Sequence, residues 1–315
     1  MKFKHMNFMY KNIFKSIIAI IFILGINNTA RAQQEALSTQ YMFNGLSVNP
    51  AYAGTHEDLS LTGIIRSQWV GMSGAPNTQM FSIHAPLRRD KVALGLNFQH
   101  DNIGVTGSTV ISPSYAYRLH FKNEAILSMG VQASFINHRS ELTALKPEKP
   151  GDASFAQDEN IWLMNFGFGM YYYTDKFYIG ASIPTLMDRN FSKNDVVQAK
   201  MDRHYYINAG YVFDLGQDFK LMPSTMIRYA EGTYATVDLN ATLYYDNLFG
   251  IGLSYRTKES ASVLFQLYIN EELIIGYAFD YVLSDIRMAT YGSHEIMVNY
   301  RFAFNKKRYI SPRYF

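Results

Sequence analysis

The dominant period along the chain is two. Near the C-terminal end Ile296, Val298, Tyr300, Phe302 and Phe304 alternate with Glu295, Met297, Asn299, Arg301 and Ala303. The same alternation recurs as Val237, Leu239, Ala241 and Leu243 against Asp238, Asn240 and Thr242, and as Val263, Phe265, Leu267 and Ile269 against Ser262, Gln266 and Asn270. Successive side chains of a strand point to opposite faces, so each such segment reads as a strand with one apolar and one mostly polar face; helical periodicity is absent. Fourteen segments of this kind are expected, beginning near Leu59, Thr78, Val92, Thr109, Ala125, Ile161, Phe177, Tyr205, Phe219, Thr236, Phe249, Ala261, Leu273 and Ser293. Most have about the 9 to 11 residues that a tilted membrane strand needs.

The connections alternate in length. Tight turns are expected around Arg89-Asp90, Asn123-Glu124, Asp175-Lys176, Gly216-Gln217, Asp246-Asn247 and Glu271-Glu272, after each even-numbered segment, while longer connections such as 70–77, 143–160 and 185–202 follow odd-numbered ones. Short periplasmic turns opposite long extracellular loops characterise outer-membrane barrels, and an even strand number places both chain ends in the periplasm. Such a sheet must close, because an open edge in lipid leaves N–H and C=O groups unsatisfied. Aromatic residues crowd the short turns: Tyr171, Tyr172 and Tyr173 before Asp175, Phe177 and Tyr178 after it, Tyr244 and Tyr245 before Asp246. They predict a girdle at the headgroup level on that side. A soluble sandwich or propeller shares the alternation but accounts for neither the turn asymmetry nor the aromatic placement.

The first 32 residues change the charge balance. Lys2, Lys4, Lys11 and Lys15 precede or flank an apolar run over residues 16–26, and Ala30, Arg31 and Ala32 precede Gln33. This is the form of a cleavable signal peptide, with cleavage between Ala32 and Gln33; the run is short for a permanent membrane helix. The leader carries five basic and no acidic residues, so its removal takes the formal charge from +3 to −2. The basic balance that a nucleic-acid partner would require therefore leaves with it. With no cysteine the fold has no disulfide framework, and the 24 Tyr and 22 Phe exceed what a soluble core of this size needs. The chain thus divides into a signal peptide at 1–32, a periplasmic N-terminal segment at 33–57, an all-β transmembrane antiparallel barrel of about fourteen strands at 58–304, and a periplasmic tail at 305–315.

Candidate chemistry is sparse. His100-Asp101 and His294-Glu295 set an imidazole beside a carboxylate, but neighbours on a strand face opposite ways and cannot form a dyad. The remaining histidines lack metal-ligand spacing, no Gly-x-Ser-x-Gly elbow occurs, and Gly167-Phe168-Gly169 lacks the helix that phosphate cradling needs. Gly95, Gly130 and Gly252 read as lumen-facing gaps. No catalytic, cofactor or metal site is expected. The last segment, with Ile296, Val298, Tyr300, Phe302 and Phe304 on one face, has the form that barrel-assembly machinery recognises. The tail, with Lys306, Lys307, Arg308, Arg313, Tyr314 and Phe315, is either a docking element or a solvated end.

Thr39-Gln40-Tyr41-Met42-Phe43-Asn44 followed by Val48-Asn49-Pro50-Ala51-Tyr52-Ala53-Gly54 resembles the opening of the PorP/SprF family of type IX secretion system membrane proteins. Arg66-Ser67-Gln68-Trp69-Val70-Gly71 and Gly74-Ala75-Pro76-Asn77-Thr78 are similar to that family's first hairpin, and Asp101-Asn102-Ile103-Gly104 to its second extracellular loop. The segment from Phe177 to Pro184, Gly292-Ser293-His294-Glu295-Ile296 and the terminal Ser311-Pro312-Arg313-Tyr314-Phe315 also fit, so the resemblance spans the mature chain. Its N-terminal motif residues are Gln40, Asn44, Asn49, Pro50, Tyr52 and Gly54; those of the first hairpin are Arg66, Gln68, Trp69, Gly71 and Pro76.

The resemblance implies a non-enzymatic outer-membrane barrel that aids secretion or surface anchoring of cargo bearing a C-terminal sorting domain, including gliding adhesins in some members. The implied partners are outer-membrane lipid, the barrel-assembly machinery, periplasmic components of the secretion apparatus and the cargo. An outer-membrane diffusion channel or hydrophobic-substrate transporter is the alternative, since a barrel of about fourteen strands encloses a lumen that can be plugged or hold a ligand. The segment 33–57 is expected to be ordered, packed under or into that lumen.

Overall fold

The structure is a computed structural model that describes residues 37–87, 90–145, 157–190, 200–231, 233–246 and 248–302. Fourteen long strands run in chain order: β1 (Leu59–Ser67), β2 (Asn77–Pro86), β3 (Val92–Ile103), β4 (Thr106–His120), β5 (Ile126–Ser140), β6 (Glu159–Tyr173), β7 (Phe177–Ile183), β8 (His204–Tyr211), β9 (Phe219–Ala230), β10 (Thr236–Tyr245), β11 (Phe249–Arg256), β12 (Ser260–Tyr268), β13 (Leu273–Val282) and β14 (Ser293–Phe302). Phe213–Asp214 continues β8 beyond Val212 and pairs with β9, and Arg189–Asn190 with Lys200–Met201 makes a small ribbon in the β7–β8 connection.

Every long strand pairs antiparallel with its sequence neighbour, and β1 pairs with β14 from Leu59↔Phe302 to Ser67↔His294, which closes the sheet. The chain is a closed fourteen-stranded antiparallel barrel. Among the described residues no helix is long and apolar enough to cross a membrane.

The alternation sorts side chains in the inverted sense of a soluble fold. Ile65, Phe81, Leu94, Val131, Ile207, Ile251, Leu253 and Val263 are exposed on the outside, whereas Ser60, Thr62, Ser82, Ser112, Asn165, Asn240, Ser262 and Asn299 are buried facing the lumen. An apolar exterior with a polar interior is the arrangement lipid imposes on a barrel. On the last strand Ile296, Val298 and Phe302 face outward and Met297 and Asn299 inward; Phe304 lies outside the described residues.

The strand starts fall where the alternation places them, with the largest difference at β4, expected from Thr109 and found from Thr106. The cause is the β3–β4 turn. Gly104 sits at φ +58°, a conformation glycine adopts without strain, so the turn needs only two residues and both strands run up to it. Asp101, Asn102 and Ile103, expected in a loop, therefore belong to β3.

The aromatic reading is corrected by the same period. Tyr171, Tyr173, Tyr178 and Tyr244 point into the lumen and are buried, because they share the phase of its polar positions. Of the rings beside those turns Tyr172 and Tyr245 do face outward, in contact as Phe121–Tyr172, Phe219–Tyr245 and Tyr245–Phe249, and Tyr211–Phe213 and Tyr300–Phe302 add to the outward rings on the short-turn side.

Candidate functional site: a strap through the lumen

Residues 37–58 lie inside the barrel as a strap. Three short 3₁₀ turns shape it, Tyr41–Phe43, Gly45–Ser47 and Pro50–Tyr52. The last is set locally: Asn49 is extended, its side-chain oxygen accepts from the Ala51 N–H at 2.9 Å, and Pro50 takes the first position, where a missing N–H costs nothing. The strap inserts Leu37, Tyr41, Met42 and Val48 among Tyr206, Met226, Leu264 and Ala278, and Leu46, Ala51 and Tyr52 among Tyr171, Tyr173, Tyr178, Met222 and Tyr244. Met42, Leu46 and Val48 each contribute on the order of 1.5–3 kcal/mol by leaving water.

Wall glycines make room for it. A side chain at Gly130 would collide with the backbone of Pro50 and Ala51, one at Gly169 with the Asn49 amide, and one at Gly95 with Leu46 and Ser114. Gly276 is covered by the Gln40 amide. Gly252 also faces the lumen, where an added Cβ would lie 2.9 Å from Thr242 Oγ1.

Polar anchors fix the strap along its length. At its leading end the Glu295 carboxylate accepts from Ser38 Oγ (2.7 Å) and from the Thr39 and Gln40 N–H groups (both 2.9 Å). Thr39 Oγ1 donates to Asp280 at 2.8 Å, and Arg66 bridges Asp280 at 2.7 Å and Glu295 at 3.2 Å. All three charged side chains are nearly fully buried. Asn240 Nδ2 donates to Tyr41 Oη at 2.7 Å. Midway, Ser82 Oγ donates to Asn44 Oδ1 at 2.7 Å, Ser182 Oγ to the Val48 carbonyl at 2.6 Å, and Asn49 Nδ2 to the Met170 carbonyl at 3.0 Å.

The trailing end is held by a ring cluster. Tyr52 Oη lies 3.1 Å from His56 Nε2, His56 Nδ1 lies 2.8 Å from Ser60 Oγ, and the Gly54 N–H donates to His84 Nδ1 at 3.1 Å. Gly54 has φ +78°, which permits the reversal into β1. Glu57 faces Arg118 at 3.8 Å, and Arg118 donates to Tyr173 Oη at 2.8 Å. His56 and Ser60 have the composition of a base and a nucleophile, but both are buried and Ser60 also accepts from Asn299.

Apart from Ile296, Val298, Tyr300 and Phe302 on the outer face of β14, the predicted residues fall into three groups. Gln40, Asn44, Asn49, Pro50, Tyr52 and Gly54 all lie in the strap and touch the wall. Of the first-hairpin set, Arg66 forms with Asp280 and Glu295 the latch on the strap's leading end, while the Gln68 N–H donates to the Pro76 carbonyl at 2.9 Å and the Trp69 N–H to Ser293 Oγ at 3.1 Å. Gly71 packs on the Tyr291 ring, and Val70 exchanges backbone hydrogen bonds with Tyr291 and Gly292, so the β1–β2 and β13–β14 loops extend the β1–β14 seam. Ala30, Ala32 and Gln33, together with Phe304, Lys306, Lys307, Arg308, Arg313, Tyr314 and Phe315, lie outside the described residues.

Asp280, which completes the latch, was not singled out by sequence. Its signal is a carboxylate in the lumen phase of an otherwise apolar or small-residue strand. Among the described residues no group of three or more His, Cys, Asp or Glu is placed to hold a metal ion.

Comparison with known proteins adds the family. The solved barrels similar to this chain include the Acinetobacter baumannii outer membrane protein Omp33 (8% identity, TM-score 0.46, covering 78% of this chain and 98% of that one). They also include the Ralstonia pickettii toluene transporter TbuX (12%, 0.49, 84% and 94%) and the CymD monoaromatic hydrocarbon channel (13%, 0.49, 82% and 92%). A search among curated proteins finds no match. The family model described as "Type IX secretion system membrane protein PorP/SprF" matches residues 30–300, and the chain belongs to this family of outer-membrane barrels.

Proposed function

We propose that this chain is a plugged, non-conducting barrel of the type IX secretion apparatus that acts by binding partners at its mouths. On this reading it aids secretion or surface anchoring of cargo with a C-terminal sorting domain, gliding adhesins among the candidates. The observation that carries the reading is the strap, which occupies the lumen from one mouth to the other and is anchored at both ends. A chain so held leaves the barrel's rims, rather than its pore, as the surfaces available for work.

In the proposed orientation the short turns and the basic tail face the periplasm and the long loops face outward. The leader is cleaved after Ala32, the last strand is read by the barrel-assembly machinery, and Lys306, Lys307, Arg308, Arg313, Tyr314 and Phe315 meet periplasmic components. Removing residues 305–315 tests this last point: recovery of periplasmic components should fall while barrel levels stay normal, and unchanged recovery would exclude docking by the tail.

The polar lumen lining favours a second reading, a channel gated by the strap. Planar-bilayer reconstitution separates the two. The native protein should be silent, and a variant lacking residues 34–56 should conduct; steady conductance by the native protein would favour the channel. In cells, deletion should abolish surface display or release of sorting-domain cargo while small-molecule uptake stays normal.

A further inference from the structure

We infer that the chain enters the lumen from the long-loop mouth, so that whatever precedes Leu37 is presented on the loop side, opposite to the side on which β1 begins. The direction of the strap is read from three levels of the wall. Thr39 meets Arg66, at the loop end of β1, and Asp280 and Glu295, at the loop ends of β13 and β14. Asn44 meets Ser82 near the middle of β2. His56 meets Ser60 at the start of β1, and Gly54 meets His84 near the short-turn end of β2.

Ser60 and Arg66 are separated by about 20 Å of strand. The strap runs that length downward, reverses at residues 54–58, and β1 returns upward beside it. The even strand number fixes where β1 starts and β14 ends; it does not fix where the chain ahead of β1 comes from. An expectation that both chain ends share the short-turn side therefore holds only for a chain that starts at β1.

The leading end is clamped, not passing through. Glu295 accepts from two consecutive backbone N–H groups and one hydroxyl, Asp280 accepts from Thr39 Oγ1, and Arg66 offsets one of the two negative charges. Asp280 is also served by the wall's own Ser262 hydroxyl and Arg256 charge, whereas Glu295 receives three donors from Ser38, Thr39 and Gln40, so withdrawing the strap's leading end leaves Glu295 short of those three. Above the clamp lie the seam loops, joined through Val70, Tyr291 and Gly292.

The side on which the chain emerges relative to the loops follows from the structure; naming that side the cell surface rests on the orientation proposed above. The test keeps the two apart. An epitope is placed between Gln33 and Gln34 and, in separate chains, in the 141–158 connection and at the 174–176 turn; each is probed with antibody on intact and on permeabilised cells. The N-terminal epitope is expected to behave as the loop epitope does. If it behaves as the turn epitope does, the inference is overturned. If the loop and N-terminal epitopes are both hidden in intact cells while the turn epitope is exposed, the orientation fails and the threading stands.

A second measurement addresses the clamp directly. The chain has no cysteine, so Thr39→Cys with Asp280→Cys allows one disulfide only. In barrels that assemble to normal levels, oxidation should produce a faster-migrating cross-linked species; its absence in such barrels would count against the threading. Should the cysteine pair fail to assemble, the epitope comparison, made in an otherwise native chain, still decides.

Discussion

At the scale of single residues the sharpest expectation concerns Arg66. It is the counter-charge between two buried carboxylates, so Arg66→Ala strands Asp280 and Glu295 and should cost about 3–5 kcal/mol, far more than an exposed ion pair. Arg66→Lys should recover only part of this, because a compact ammonium cannot bridge both partners as the guanidinium fork does. Thermal band-shift of the folded barrel in detergent measures it; an unchanged midpoint for Arg66→Ala would mean that the latch does not hold the barrel together. Glycine tests the strap's seat in the same assay. Gly130→Val must displace Ala51 and should destabilise by about 1–3 kcal/mol, whereas at Gly63 nothing lies within 4 Å of an added Cβ, so Gly63→Val should be close to neutral. One loop carboxylate makes a pH prediction. Hydrogen bonds from the Thr143 N–H and then its hydroxyl hold Asp158 below the usual carboxylate range. A lowered folded pKa contributes above the unfolded value of about 3.9 and is lost as pH falls through the folded one, so Thr143 amide protection should persist down to about pH 4 and fade below it. Loss already above about pH 5 in hydrogen exchange would contradict that. Arg66 and Glu295 were legible as motif residues, but not their meeting: 229 positions separate them, and only closure of the barrel brings them together.

At the scale of the element, strands were readable because lipid enforces the alternation that a period of two encodes. Two adjacent positions of β11 put this to the test. Leu253 is 64% exposed on the outer face and Ser254 is buried in the lumen. Leu253→Arg near the middle of the strand should cost about 2–4 kcal/mol in the membrane, while Ser254→Ala should change stability by less than about 1 kcal/mol; equal losses in vesicle-refolding titrations would mean that the two faces are misassigned. The same period divides aromatic runs between the two faces. Runs such as Tyr171-Tyr172-Tyr173 look like one aromatic block in sequence, yet Tyr171 and Tyr173 share the lumen with the strap and only Tyr172 joins the outer rim. The strap itself has no period to read. Its 3₁₀ turns are signalled locally by Asn49-Pro50, but its position and direction depend on wall gaps at Gly95, Gly130 and Gly169, which are informative only once the strands that carry them are side by side.

At the scale of the whole molecule, stability and topology meet at the β1–β14 seam, where the pairing partners are most distant in sequence. Thr62 and Asn299 face each other there inside the lumen, joined by a 2.8 Å hydrogen bond across 237 positions. A disulfide between Thr62→Cys and Asn299→Cys would close a loop of that size, and the loss of unfolded-state entropy predicts a gain of about 5 kcal/mol over the reduced form of the same variant. Ser254 and Ser262 are likewise paired and buried, but within one hairpin, so Ser254→Cys with Ser262→Cys should gain only about half as much on oxidation. Comparing each oxidised form with its own reduced form removes the cost of the substitutions, leaving loop length as the variable. If the sheet were open between β1 and β14, the seam pair would not oxidise in the folded protein; if the seam formed but contributed nothing to cooperative unfolding, the two pairs would shift the midpoint alike. A large gain at the seam would also bear on the strap, since its leading end is clamped by β1, β13 and β14 together, and release of the strap should then require the seam to open.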